Sequence, residues 1–307
     1  MRNAFAKYLE FFTKKNRNIF LLSGDIGNKL FDNYKKKFKK NFLNCGVAEA
    51  NMTGVASGLA IMGFKPITYT ITPFNTIRCF EQIKIDICYP RLPVVIVGTG
   101  SGLSYSSLGA THHSMDDIAI LRTLPNINIL CPADSYEVHE SLKIALRSKN
   151  PTYIRLGKKG EPIIHKKIPN LSLGKSIIVK KGKDLTLLSI GNMLSTSLDC
   201  AYILEKNGVS AEVVNIFSLK PIDEKLLRKI LNKKKNIVTI EEHGLVGGLS
   251  STVSEFIVKN NYKENKIISF GSPNKFLSAY GNQQEARELI GLTSKKIAKQ
   301  ILLKIKK

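Results

Sequence analysis

The sequence predicts an α/β protein of two doubly wound domains, and three observations carry that expectation. The chain has 307 residues, which at roughly 150 residues per domain is enough for two cores. Short β-rich runs alternate repeatedly with segments of helical periodicity, the pattern of a mainly parallel sheet crossed by helices. The alternation is interrupted once, by a polar, proline-containing and aperiodic stretch from Gly157-Lys158-Lys159-Gly160 to Gly174 that reads as a linker. The expected domains are therefore 1–165 and 175–307.

In the first domain, Phe5, Tyr8, Leu9 and Phe12 fall on one face of an opening helix. Strands follow at 19–22, 66–69, 93–97, 127–130 and 152–156, with helices at 48–62, 75–87 and 135–147 between them. After the linker come strands at 184–190, 212–216, 237–240 and 267–270. Helices at 195–206, 224–231 and 250–258 and a terminal stretch from Gln283 complete the second domain. The halves share architecture but no sequence repeat.

Composition narrows the class. Hydrophobic residues make up 43% and aromatics 8% of the chain, as expected for a folded domain and unlike a disordered one. No apolar run approaches the ~18 residues that span a bilayer. The apolar run at 19–22 is too short for a secretion signal and ends in Ser23-Gly24-Asp25, so a cytoplasmic protein without membrane contact is expected. The formal charge of +23 raises the question of nucleic acid, but the excess is lysine scattered over several short clusters, such as Lys35-Lys36-Lys37 and Lys166-Lys167. That reads as solvated faces, with a mild attraction for phosphorylated small molecules. The five cysteines form no CxxC pair and are odd in number, which suits small buried hydrophobes in a reducing compartment.

Chemistry-bearing residues concentrate in the first half. Segment 44–60 places one carboxylate, Glu49, at a helix start ahead of a run rich in Gly, Ala and Ser. Taken alone, Glu49 is a first-turn acid favoured by the helix dipole. Glycine inside a helix costs up to about 1 kcal/mol, so Gly54 and Gly58, four apart on one face, imply close approach of another backbone. Segment 72–83 carries Phe74, Ile77, Arg78 and Phe80 at spacings that also suit plain core packing. Gly98, Gly100 and Gly102 follow a strand as G-x-G-x-G, but 103–111 does not read as a helix, so a dinucleotide turn is not supported. His112, His113, Asp116 and Asp117 sit together in one loop. Adjacent histidines rarely turn both rings to one ion; a loop entering a helix, with Ser114 as N-cap and the two Asp as first-turn acids, accounts for them without a metal.

Together these segments resemble the transketolase family, over nearly the whole chain. Gly46-Val47-Ala48-Glu49-Ala50-Asn51-Met52 is similar to the family's G-x-A-E-x-N-M, Arg78 to Ile83 to its R-x-[FYW]-[DE]-Q-I, and Gly109-Ala110-Thr111-His112-His113 to its G-[PA]-T-H-[QH] loop. The resemblance implies a pyrimidine-binding domain followed by a transketolase C-terminal domain. It implies that Glu49 is the acid that activates thiamine diphosphate through a ring nitrogen of the aminopyrimidine, chemistry that needs a carboxyl in a dry pocket. Phe74 would stack on that ring, with Ile77 sharing the contact, and Asp25 would approach the cofactor. His112 would exchange protons with, and bind, substrate hydroxyls. Arg78 would join the substrate-binding set, and Arg155, leaving a strand at the sheet's C-terminal rim, would hold a substrate phosphate. Many members carry Asp just before the loop's first Gly; Leu108 stands there, implying a different donor sugar or a different grip on it.

The resemblance also covers Leu124-Pro125-Asn126, Cys131-Pro132-Ala133-Asp134 and the turn from Glu241-Glu242-His243-Gly244 to Gly247-Gly248, which look architectural, Asp134 as a helix cap. The family's magnesium-diphosphate motif, G-D-G with a downstream Asn, has no match. The implied protein is the C-terminal subunit of a split transketolase, moving a two-carbon ketol unit between phosphorylated or modified sugars. Thiamine diphosphate would be its cofactor, with magnesium bound by a separate N-terminal transketolase subunit, the assembly being a homodimer core or a heterotetramer. The alternatives are an activity like deoxyxylulose-phosphate synthase or the beta subunit of a 2-oxo-acid dehydrogenase, and, from another class, a non-catalytic regulatory or nucleic-acid-binding module.

Overall fold

The computed structural model describes residues 1–27, 29–233 and 236–305. The chain forms two compact units, one of residues 1–101 and 120–172, the other of residues 102–119 and 173–307. Among the described residues no helix is long and apolar enough to cross a membrane.

Elements of the first stretch are α1 (Arg2–Lys15), β1 (Ile19–Ser23), α2 (Asp32–Lys37), β2 (Phe42–Asn44), α3 (Glu49–Ile61), β3 (Lys65–Ile71), α4 (Phe80–Gln82), β4 (Val95–Thr99), α5 (Asp117–Arg122), β5 (Asn128–Leu130), α6 (Ser135–Arg147) and β6 (Thr152–Leu156). In the first unit the strands lie in the order β5-β6-β4-β3-β1-β2, every pair parallel. β4 and β6 are buried at every residue, as expected of central strands covered on both faces, which need not alternate apolar with polar residues. The helical stripe of α1 closes one face: Phe5 and Leu9 are fully buried, and the Phe5 ring stacks 5.3 Å from that of Tyr69. Asp134 caps α6 as expected, accepting from the N–H groups of Tyr136 and Glu137 at 2.9 and 3.0 Å.

The helix expected at 75–87 is shorter and differently wound. Turns run to residue 79, followed by α4 and a π-helical segment, Ile83–Cys88. Polar side chains at its start take up backbone carbonyls instead: Asn75 Nδ2 donates to the Thr68 and Val97 carbonyls of the sheet, and Thr76 Oγ1 back-bonds to the Thr72 carbonyl in the turn. The backbone approach expected at Gly54 and Gly58 is not made among the described residues. A Cβ at either would meet no atom within 4 Å.

The second unit contains β7 (Ile177–Lys180), β8 (Leu185–Ser189), α7 (Met193–Lys206), β9 (Ala211–Asn215), β10 (Ser218–Lys220), α8 (Glu224–Leu231), β11 (Asn236–Gly244), α9 (Leu249–Lys259), β12 (Lys266–Ser272), α10 (Gln283–Leu289) and α11 (Ser294–Ile305). Its sheet runs β12-β11-β8-β9-β7, parallel except for the edge strand β7, which pairs antiparallel with β9. The strands expected from sequence do not include β7, although Ile177-Ile178-Val179 is a short apolar run; at the sheet edge its residues are only partly covered.

Residues 102–119, read from sequence as part of the first domain, group with this unit. Hydrogen bonds distant in sequence hold them: Gly244 N–H to the Met115 carbonyl, 2.8 Å, and Tyr280 N–H to the Ser106 carbonyl, 3.0 Å. Ser114 is not an N-cap. It forms an isolated bridge with Gly102, and α5 starts at Asp117.

Candidate active site

The strand order of the first unit reverses at β1, which has β2 on one side and β3 on the other. Crevices at the C-terminal ends of strands beside such a reversal are where open α/β sheets bind ligands, and the segments leaving β1, β2 and β3 carry the residues the sequence singles out. Gly24 follows β1; a Cβ there would come within 3.1 Å of Thr70 Cβ and 3.3 Å of Glu49 Cγ. Its missing side chain therefore lets a β3 residue and the first residue of α3 approach one another. Glu49 is 1% exposed, and its Oε2 accepts from Arg78 Nη1 at 2.8 Å. The Arg78 guanidinium carbon lies over the Phe74 ring, 4.2 Å from its centroid. Beside them Thr70 Oγ1 is buried without a hydrogen-bond partner among the described residues.

Three predicted residues, Glu49, Phe74 and Arg78, thus form one cluster. Arg78, expected against substrate, is engaged by Glu49 and Phe74. Ile77 is 45% exposed. Behind the cluster, burial pushes the Cys79 thiol up to about 11 against a hydrogen bond from Thr53, with the Glu49 charge adding to the rise, so it is a neutral packing group rather than a nucleophile.

Asp25 sits in the left-handed region at φ 54, a conformation that costs about 1–3 kcal/mol and persists only when neighbours hold it. Asn44 does so: its Nδ2 donates to Asp25 Oδ1 at 2.9 Å, and its Oδ1 accepts from the N–H groups of Asp25 and Gly46 at 3.1 and 3.0 Å. The sequence does not single out Asn44 or Thr70, since neither type is distinctive until its neighbours are known. Arg155 lies within β6, opposite Gly98, and is 2% exposed. Arg155 is therefore not a solvated side chain at the rim of the sheet.

In the second unit, His112 is half-buried, its Nδ1 hydrogen-bonded to Thr111 Oγ1 at 3.0 Å and its ring 5.9 Å from that of Tyr105. His113 points elsewhere, with Nε2 donating to the Ser106 carbonyl at 3.1 Å. Leu108 is 50% exposed. Among the described residues no group of His, Cys, Asp or Glu gathers to hold a metal ion.

The turn at 241–251 is architectural, as the sequence suggests. Glu241 accepts from the Leu249 and Ser250 N–H groups at 2.7 and 2.8 Å, capping α9, and Gly248 leaves room for that carboxylate. Glu242 is fully buried and receives Arg287 in a two-pronged contact, Nε to Oε1 at 3.0 Å and Nη2 to Oε2 at 2.9 Å, with Gln283 and Asn192 amides completing its shell. Burial alone would raise its carboxyl; the Arg287 charge and these hydrogen bonds outweigh that and hold it below the usual range.

Comparison with known proteins places both units. The family model for the transketolase pyrimidine binding domain matches residues 1–161 and that for the transketolase C-terminal domain matches residues 174–297. The chain is 34% identical over 310 residues to a putative transketolase C-terminal section from Methanocaldococcus jannaschii, covering 100% of this chain and 96% of that protein. It is 31% identical over 308 residues to an apulose-4-phosphate transketolase subunit of Phocaeicola vulgatus, covering 100% and 97%. Among solved structures it resembles a split gene transketolase, described as an inactive beta4 tetramer, with a TM-score of 0.88 and 34% identity over 97% of this chain and 95% of that one. With its site built at the strand ends of a matched pyrimidine-binding domain, the chain belongs to the transketolase family.

Proposed function

We propose that the chain is the C-terminal subunit of a thiamine-diphosphate-dependent transketolase, active with an N-terminal partner subunit that carries the diphosphate and magnesium site. The observation that carries this is the Glu49 carboxyl, buried at the start of α3 beside the half-buried Phe74 ring. An aminopyrimidine needs a flat apolar face to stack on and a sheltered carboxyl for its ring nitrogen. Both are present, and the buried Thr70 hydroxyl adds a polar group without a partner of its own, so the residues fit the ring. Thiamine diphosphate, when bound, supplies the electron sink that carries the two-carbon unit between sugars.

Each residue then has a distinct task. Glu49 holds and exchanges a proton at the ring nitrogen, while Phe74 stacks on the ring and Ile77 extends that wall. Asp25, fixed by Asn44, contributes a second carboxylate on the cofactor side. His112 exchanges protons with the hydroxyls of a phosphorylated or modified sugar, its ring oriented by Thr111. Arg155 supplies a guanidinium for the sugar phosphate. With an exposed Leu108 near His112 in sequence, the donor sugar is held without a carboxylate at that position.

Calorimetric titration of thiamine diphosphate with magnesium, into this chain alone and then into its mixture with the N-terminal subunit, tests the assignment. Weak binding to the chain and tight binding to the mixture are expected. Tight binding to the isolated chain would refute the division of the site. Assay of the mixture with xylulose 5-phosphate, pyruvate and activated deoxysugars then identifies the donor.

A further inference from the structure

Arg78 makes, within the chain, the two contacts assigned above to the aminopyrimidine. It donates to Glu49 Oε2 at 2.8 Å, and its planar guanidinium lies 4.2 Å from the Phe74 ring centroid. A guanidinium resembles an aminopyrimidine in the relevant respects: it is flat, stacks on aromatic faces and presents N–H donors in its own plane. The guanidinium thus occupies Glu49 Oε2 and a face of the Phe74 ring, the seat assigned above to the aminopyrimidine. Resting on the thiamine reading, we propose that Arg78 is a stand-in for the aminopyrimidine, which the cofactor must displace to bind.

The surroundings suit such a gate. Glu49 is 1% exposed, and a carboxylate so buried is costly without a partner. Arg78 meets that need until the ring arrives. Its own side chain is 45% exposed and its residue lies in the turn ahead of α4, so swinging out returns the guanidinium to water without disturbing the sheet. The seat is therefore filled by the protein or by the cofactor, and the apparent affinity for the ring is reduced by the fraction of chains in which Arg78 has left.

The opposite signs of two readouts separate this role from a structural or positioning one. The full chain and its Arg78→Met and Arg78→Lys variants are titrated with 4-amino-2-methylpyrimidine, followed by saturation-transfer NMR of the ligand methyl and by the Arg78 guanidinium ¹⁵N resonance. Circular dichroism and thermal melting check the fold. Arg78→Met keeps the stem without the planar cation, so it should melt lower yet bind the pyrimidine at least about fivefold tighter. Arg78→Lys, which keeps charge but not the plane, should fall between. In the unsubstituted chain the guanidinium signal should change from restrained to freely rotating as pyrimidine is added. Equal or weaker binding by Arg78→Met, or a guanidinium that stays restrained at saturation, would overturn the gate and make Arg78 a positioning residue for Glu49, leaving the thiamine reading intact. No saturable binding by any of the three proteins would overturn the thiamine reading and the gate together.

Discussion

Substitution Arg287→Ala isolates one buried interaction in the second unit. Arg287, whose side chain is 13% exposed, makes its two contacts with Glu242, whose side chain is 0% exposed. Removing one partner of a buried pair leaves an uncompensated charge, typically at a cost of about 3–5 kcal/mol. The Gln283 and Asn192 amides remain as donors to the same carboxylate, so the lower end, about 3 kcal/mol, is expected. The pH dependence follows from the shift. In the unsubstituted chain Glu242 is held below its ordinary 4.5, so its contribution is present above that value and lost as pH falls through the folded one. Without the Arg287 charge less opposes burial, the carboxyl moves upward, and the penalty is full at neutral pH and shrinks as acid protonates it. The chain has no Trp, so urea unfolding is followed by far-UV circular dichroism at pH 7 and in the acid range. A cost below about 1 kcal/mol at pH 7, or one that grows toward acid, would refute the reasoning.

Gly98→Ala should destabilise by about 1–3 kcal/mol, because its Cβ would come within 2.9 Å of both Thr72 Oγ1 and Tyr153 OH; thermal melting checks this. His165 Nε2 contacts buried Glu137 at 2.6 Å, and this hydrogen bond raises the histidine above 6.5 against the opposing effect of burial. Its stabilisation should be complete below pH 6.5 and fade as pH rises through the folded value, a slope that His165→Gln should abolish in denaturation series. Glu49→Gln should lower turnover of the assembled enzyme by a factor of about 100 or more while leaving the circular dichroism unchanged; near-normal turnover would remove Glu49 from catalysis. Arg155→Ala should raise the KM for a phosphorylated donor, and a lower melting temperature at unchanged KM would instead make this buried residue structural.

Much of the candidate site was legible because the family's motif words are local. Glu49 at a helix start and Phe74 after a strand follow from composition and spacing over about a dozen residues, and the structure puts them together at the strand reversal. Their arrangement with Arg78 was not legible. The sequence directs Arg78 toward substrate because its neighbours along the chain carry no sign of a carboxylate 29 positions earlier. The helix at 75–87 failed for a related reason: apolar periodicity records which faces are buried, but not that Asn75 would bond sheet carbonyls. The glycine pair in α3 meets no backbone among the described residues, which leaves that face open.

By itself the sequence determined the alternation of strands and helices, the capping of α6 by Asp134 and the position of the acid at the head of α3. These depend on period, propensity and bonds between residues a few positions apart, which the linear order contains in full. Tertiary structure alone decided that residues 102–119 pack with the second unit, that Glu242 meets Arg287 and that Arg78 lies between Glu49 and Phe74. Each of those outcomes depends on a contact across 29 or more positions, Arg78 to Glu49 being the shortest. Such contacts form only where the folded sheets bring chain segments together, and a buried charge takes the partner that geometry supplies.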